Sequence, residues 1–199
     1  MIYPGTELRL VDEQTGYGVF ATRFIPAGTV VWMHDELDQV LTPARVATLP
    51  EALQRHVERY AYVNAEGNRV LCWDHGRYMN HSCEPSATSI GTLMEIARRD
   101  IHPGDQLTCE YGLAHVIEGF ECTCGAPNCR GKLLPTDMPE VWRRWDREAA
   151  EAFALALKVE QPVLAAARAT GSGAWIVEAI RERRAIELPS WSEGVPGGA

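Results

Sequence analysis

The chain has 199 residues, 46% of them hydrophobic, a size and composition that fit one domain with a sizeable core and a smaller appendage. A formal net charge of −8 speaks against a general nucleic-acid binder, which needs basic patches to neutralise phosphates. No apolar run approaches the roughly 20 residues of a membrane span, and the start, MIYPGTELRLVDEQ, lacks the basic and apolar regions of a secretory signal, so the expectation is an intracellular protein, cytoplasmic by default.

From Glu7 to about Tyr111 the chain alternates short β-prone runs with Gly, Pro, Asn and Asp: GVFATRF, GTVVWM, NRVLCW, SATSI, TLMEIA and DQLTCEY. This spacing predicts a β-rich body. One helical interruption is expected within PARVATLPEALQRHVERYA, divided by Pro50. After Leu134 the texture turns helical: Thr136 or Asp137 offers a cap, Pro139 suits a first turn, and apolar residues recur at helical spacing. A further helix is predicted from Ala174 to Glu187, and PSWSEGVPGGA reads as a mobile tail. Trp142, Trp145, Phe153, Leu155 and Leu157 are expected to pack within the chain, with a homodimer face as the alternative. Asp35, Glu36 and Asp38 read as a solvated face. His34, His56, His75, His102 and His115 show no partner pattern.

The six cysteines, Cys72, Cys83, Cys109, Cys122, Cys124 and Cys129, are clustered, which in a reducing compartment points to metal before disulfides. FECTCGAPNCRG places Cys122, Cys124 and Cys129 within eight positions on a chain bent by Gly125 and Pro127. A tetrahedral structural zinc site needs one more ligand. Spacing leaves Cys72, Cys83, Cys109 and His115 all open for that place.

Three separated motifs and this cluster occur together: GYGVFATRFIPAGTVV from Gly16 to Val31, RYMNHSCEP from Arg77 to Pro85, GDQLTCEYG from Gly104 to Gly112, then Cys-x-Cys-x4-Cys-Arg-Gly. In this order they resemble the SET-domain protein lysine methyltransferases, over about Glu7 to Lys132. The resemblance implies a mainly β (α+β) fold of small sheets with a knot-like threaded active site and a zinc-bound post-SET loop, while the C-terminal helical segment read from the spacing lies outside it. Together with the helical texture after Leu134, this gives expected boundaries of 1–118 for the SET domain, 119–134 for the post-SET segment, 135–188 for the helical extension and 189–199 for the tail. It also implies that Cys83 joins Cys122, Cys124 and Cys129 on one zinc.

The family's cofactor is S-adenosylmethionine, and the matching positions are Gly16, Tyr17, Gly18, Arg77, Asn80 and His81; paired glycines let backbone approach a ligand closely. Tyr111 matches the catalytic tyrosine, with Tyr60 as a second catalytic candidate. Tyr62, Cys109 and Trp73 are candidates for the lysine channel. Cys109 stands where relatives usually carry an aromatic residue, and its smaller side chain favours more than one methyl. The expected partner is a lysine-containing protein or peptide, histone-like or otherwise basic, bound as an added strand, without direct nucleic-acid or membrane contact. The lack of a cysteine-rich pre-SET region points to a compact form whose substrate need not be a histone. A catalytically silent SET-like binding module is the competing expectation.

Overall fold

The computed structural model describes residues 1–64, 66–114, 120–134, 138–166 and 174–190. His115, the caps expected at Thr136 and Asp137, and positions 191–199 of the tail lie outside the described residues.

Strands β1 (Thr6–Asp12) and β2 (Gly16–Ala21) form an antiparallel hairpin with Leu8 opposite Val19 and Arg9 opposite Gly18. Its turn is set by chemistry visible in the sequence. Asp12 accepts the amides of Gln14 and Thr15 (2.9 and 2.6 Å), and Gly16 takes a left-handed φ of 81°. On the other side of β2 lies β10 (Gln106–Cys109), and beyond it β7 (Asn80–His81), parallel to β10, gives the order β1-β2-β10-β7. That parallel pairing sets Thr108 beside Asn80 and Cys109 beside His81, so two motifs far apart in sequence become neighbours.

A second sheet, in the order β3-β9-β8, is built from β3 (Val30–Met33), β8 (Ala87–Ile90) and β9 (Met94–Ala97). All residues of β3 and β8 are buried, including the polar Thr88 and Ser89 of β8. The third sheet, β4-β6-β5, comprises β4 (Gln39–Leu41), β5 (Tyr62–Val63) and β6 (Arg69–Leu71). Between β4 and β5 run α1 (Pro43–Ala47), capped by Thr42, and α2 (Glu51–Tyr60), which starts immediately after Pro50. The expected helical interruption and its break are therefore both present.

Asp35 and Asp38 correct the reading of a solvated face, for they are 4% and 8% exposed. Asp35 accepts the indole N–H of Trp73 (3.0 Å), and Asp38 accepts the Trp73 amide (3.1 Å) and faces His34 Nδ1 (3.0 Å). Buried carboxylates are tolerated because these donors satisfy them.

The C-terminal segment forms α3 (Met138–Ala156), α4 (Pro162–Ala166) and α5 (Ala174–Arg181). Helix α3 crosses β8 and β9, and α4 lies on β3. Trp145, Ala149, Ala152, Phe153 and Ala156 are buried, and the last four join Val163, Leu164, Ile176, Val177, Ala179 and Ile180 in the main core with the second sheet. These apolar faces are thus used within the chain. Gln161 locks the junction: its Oε1 accepts the Val30 amide (2.8 Å), and its Nε2 donates to the carbonyls of Gly28 and Ala156 (2.8 and 3.0 Å).

Helix α5 ends earlier than the predicted Glu187. The Arg184 amide bonds Ala179 O and the Arg183 amide bonds Ile180 O, with Arg183 at φ 54°, which is a Schellman stop with arginine where glycine is usual.

Gly28 shows how tightly the helices are seated. Its φ is 90°, and a Cβ there would lie 2.6–2.8 Å from the backbone and Cβ of Leu155. Gly28→Ala is expected to destabilise the protein by roughly 2–4 kcal/mol, combining left-handed strain with overpacking. Urea unfolding measures it, and an unchanged midpoint would show that α3 is not fixed at this point.

Candidate active site

Tyr111 opens a 3-10 turn (Tyr111–Ala114) directly after β10. Its amide donates to His81 Nδ1 (3.1 Å), and its hydroxyl donates to the carbonyl of Met79 (3.0 Å). These two bonds fix the ring at both ends. Burial pushes the phenol's ionisation far up, so the group works as a neutral hydroxyl. Burial likewise holds His81 below the ordinary imidazole value, with Glu110 opposing it and Arg130 reinforcing it. Since Nδ1 accepts from the Tyr111 amide, the proton of neutral His81 sits on Nε2, which lies 3.4 Å from Cys83 Sγ. One histidine therefore joins the turn carrying Tyr111 to the cysteine cluster.

The sulfur atoms of Cys83, Cys122, Cys124 and Cys129 all lie within 4.8 Å of one another. Cys83 to Cys122 is 3.8 Å and Cys129 to Cys122 is 3.6 Å. Zn–S bonds of about 2.3 Å in a tetrahedron put sulfurs about 3.8 Å apart, so the cluster fits that ion. Amides add the right polarity: Arg130 N–H points to Cys83 Sγ, Cys83 N–H to Cys124 Sγ and Gly131 N–H to Cys129 Sγ, each at 3.4 Å. Donors of this kind favour thiolates. Of the four fourth-ligand candidates, Cys72 and Cys109 sit elsewhere, in the main core.

Glu110, 2% exposed, is the second link between the cluster and the turn. Its oxygens accept both contacts from one guanidinium nitrogen of Arg130 (2.7 and 2.6 Å), and Oε1 also accepts the Gly112 amide (2.8 Å). Trp145 of α3 leaves no room at Gly112, where a Cβ would meet the indole at 2.9 Å. Arg130→Met would leave Glu110 buried with, among the described residues, His81 Nδ1 (3.5 Å) and Arg144 (4.0 Å) as its basic neighbours. The expected loss is about 3 kcal/mol, typical of breaking a buried ion pair, read by chemical denaturation; a change below about 0.5 kcal/mol would show Arg130 acting as an ordinary surface charge.

A cavity of about 610 Å³ opens beside Tyr111. Its wall brings together Tyr111, Tyr60, Tyr62, Cys109 and Arg77 of the residues singled out in the sequence. Tyr62 donates its hydroxyl to Thr92 O (3.2 Å) and stacks edge-on against Trp32 (5.6 Å). Burial, with Glu95 and Glu110 adding to it, keeps the Cys109 thiol protonated. Trp73 does not line this cavity; it is 46% exposed and is held away by Asp35.

Gly16, Tyr17, Gly18 and Asn80 do not line the cavity and lie on or beside the hairpin, while His81 sits behind the wall, bonded to the Tyr111 amide. Asn80 Nδ2 donates to Tyr17 O (3.1 Å), and a Cβ on Gly18 would meet Gln106, Val11 and Asn80 at 2.6–3.0 Å. A side chain at 18 would therefore have to displace these side-chain ends. Tyr17 stays 53% exposed, its ring edge-on to Tyr78 (6.2 Å), which in turn meets Tyr60 (5.1 Å) and carries Arg77 over its face (5.2 Å). An exposed aromatic ring beside polar backbone and an amide suits a flat, nitrogen-rich ligand such as adenine.

Sequence reading missed Glu95, Arg130 and the contact of Trp145 with Gly112. For Glu95 a signal existed, since it is the lone acid in the apolar run TLMEIA.

Residues 16–112 match the SET domain family. The chain is 29% identical over 133 residues to the variant-silencing SET domain-containing protein of Plasmodium falciparum, covering 59% of this chain and 5% of that protein. It is 27% identical over 145 residues to histone-lysine N-methyltransferase ash1 of Drosophila melanogaster, covering 66% of this chain and 6% of that protein. The chain therefore spans a small part of these relatives' length. Among solved structures, KRYPTONITE in complex with mCHG DNA and SAH is similar at 23% identity and a TM-score of 0.45, over 65% of this chain and 29% of that one. The match takes in β2, the Asn-His segment and Tyr111, so residues 16–112 form a SET domain.

Proposed function

We propose that this protein is an S-adenosylmethionine-dependent protein-lysine N-methyltransferase acting on a histone or another basic protein. The observation that carries the reading is the joining of Tyr111, by its amide, to His81 and, by its hydroxyl, to Met79 at the edge of a cavity walled by Tyr60, Tyr62 and Cys109. Names of relatives that include histone-lysine N-methyltransferase support the same chemistry.

S-adenosylmethionine would be held by Gly16, Tyr17, Gly18, Arg77, Asn80 and His81, and when bound it supplies a methyl group on a sulfonium. The protein's part is to admit a lysine side chain along the aromatic wall, exclude water and hold the amine in line. Tyr111 and Met79 O present oxygen atoms where positive charge gathers during transfer. Zinc on Cys83, Cys122, Cys124 and Cys129 would fix residues 119–134 against the SET body, with 135–188 as a helical extension. Cys109, smaller than an aromatic residue, leaves room for more than one methyl. An intracellular location, on chromatin where histones are the substrate, goes with this reading.

Incubation with labelled S-adenosylmethionine and a panel of histones, ribosomal proteins and lysine peptides tests it, with mass spectrometry counting methyls. Peptide binding without methyl incorporation would instead identify a silent SET-like module.

A further inference from the structure

Glu95 lies at the centre of the second sheet, on β9, opposite Ser89 of β8 and Trp32 of β3. All three residues line the cavity beside Tyr111. Glu95 Oε1 accepts the Ser89 hydroxyl, whereas Oε2 is sealed from bulk water and has no hydrogen-bond partner among the described residues. The indole N–H of Trp32 is likewise buried and unpartnered among them. Both atoms belong to residues that line one cavity, and buried polar atoms left unsatisfied are costly unless something comes to meet them.

We propose that Glu95, with Ser89 holding its carboxylate, is a substrate-recognition residue that receives the ammonium group of the incoming lysine and takes its proton. The proposal deepens the lysine methyltransferase reading and rests on it for the identity of the substrate. The step balances simply: one N–H bond of the ammonium breaks, one O–H bond forms on Glu95, and an ion pair becomes a neutral amine beside a neutral acid. A poorly solvated cavity favours that exchange, because both products are uncharged. The amine so formed has the lone pair that methyl transfer requires, which a lysine with a free pKa near ~10.4 lacks at neutral pH.

The surroundings are consistent with this role. Burial pushes the Glu95 carboxyl up to about 7, against the Ser89 hydroxyl and with help from Glu110. Burial also holds the Tyr62 phenol and the Cys72 and Cys109 thiols protonated, so none of these competes for the proton. The other charged residues of the cavity wall are Glu58, Arg59, Arg69, Arg77 and Glu110, and Glu110 is already held by Arg130. From α3, which packs on β9, Glu148 is engaged by Arg98 (2.7 Å) and faces Arg144 (3.7 Å).

The test uses the full chain and two probes of similar size, n-butylammonium chloride and 1-pentanol, titrated by NMR against wild type and Glu95→Gln. Wild type should bind butylammonium more tightly as pH rises through about 7, as the carboxyl ionises. Glu95→Gln should lose that step and weaken butylammonium binding by at least tenfold, roughly what loss of a charged hydrogen bond produces, with pentanol binding unchanged. Equal butylammonium affinity in the two proteins, or none in wild type, overturns the proposal. In parallel, kcat/KM for a methylated lysine peptide should rise through about pH 7 in wild type and lose that limb in Glu95→Gln. Methyl transfer with an unchanged pH profile in the variant also overturns it. Glu95-dependent butylammonium binding without methyl transfer to any substrate would sink the methyltransferase reading and leave the ammonium site standing.

Discussion

Tyr111→Phe is expected to lower methyl transfer by roughly 10²–10³-fold, the usual cost of removing one preorganised hydrogen-bonding group from an active site. The substitution is clean because the ring's neighbours, His81 at 5.5 Å and Phe120 at 6.0 Å, are kept and only the hydroxyl goes. The amide bond to His81 also survives, so the turn keeps its place. Stability should fall by only about 1 kcal/mol, the net worth of one hydrogen bond, here to Met79 O. Cofactor affinity should hold within about twofold, since the hairpin and Asn80 are untouched. Turnover of labelled S-adenosylmethionine and calorimetric cofactor binding check the two halves separately. A variant that turns over within about threefold of wild type would remove Tyr111 from the chemistry.

Loss of the sulfur centre is expected to be as damaging by another route. Apparent binding free energies of structural zinc in small domains reach about 10–16 kcal/mol, and that energy is spent on holding the ligands' segments together. Here the segments are the one carrying Cys83 and the one carrying Cys122, Cys124 and Cys129. Cys83→Ser and Cys129→Ser should each reduce bound zinc from one equivalent to near none by elemental analysis. Activity should fall in step, and thermal unfolding should move down by several degrees. Cys83→Ser should be the more harmful, because its sulfur also faces His81 Nε2 and both the amide and Nε of Arg130. Full activity in a zinc-free protein would refute the link.

How much of this was legible beforehand differs element by element. Pro50 and the β-prone runs GTVVWM and SATSI are local signals: α2 starts directly after Pro50, and β3 and β8 fall within those runs. Cys83 is a different case: nothing within ten residues distinguishes it from Cys72, and family resemblance selected it. Trp73 looked like a channel wall because aromatic residues share one vocabulary for core, surface and site, and only its bond to Asp35 shows which applies. Helix α5 stops early through a left-handed arginine, a conformation that a glycine would have announced. Glu110 and Arg130 were both within quoted motifs, yet their pairing depends on a tertiary approach that spacing does not encode.

The parallel contact of β7 with β10 has a consequence for how the molecule comes to exist. Asn80 and His81 meet Thr108 and Cys109 only after a long intervening loop closes, and Gly112 meets Trp145 only after a further stretch of chain has arrived. Contacts so distant in sequence cost loop entropy before they return any energy, and they slow folding. A nascent chain ending at Gly112 would already contain Tyr111, yet it would lack every downstream sulfur, the guanidinium that holds Glu110 and the indole that backs the turn. The surroundings of Tyr111 would therefore be completed late in the life of each copy, only when residues 120–133 and α3 have docked.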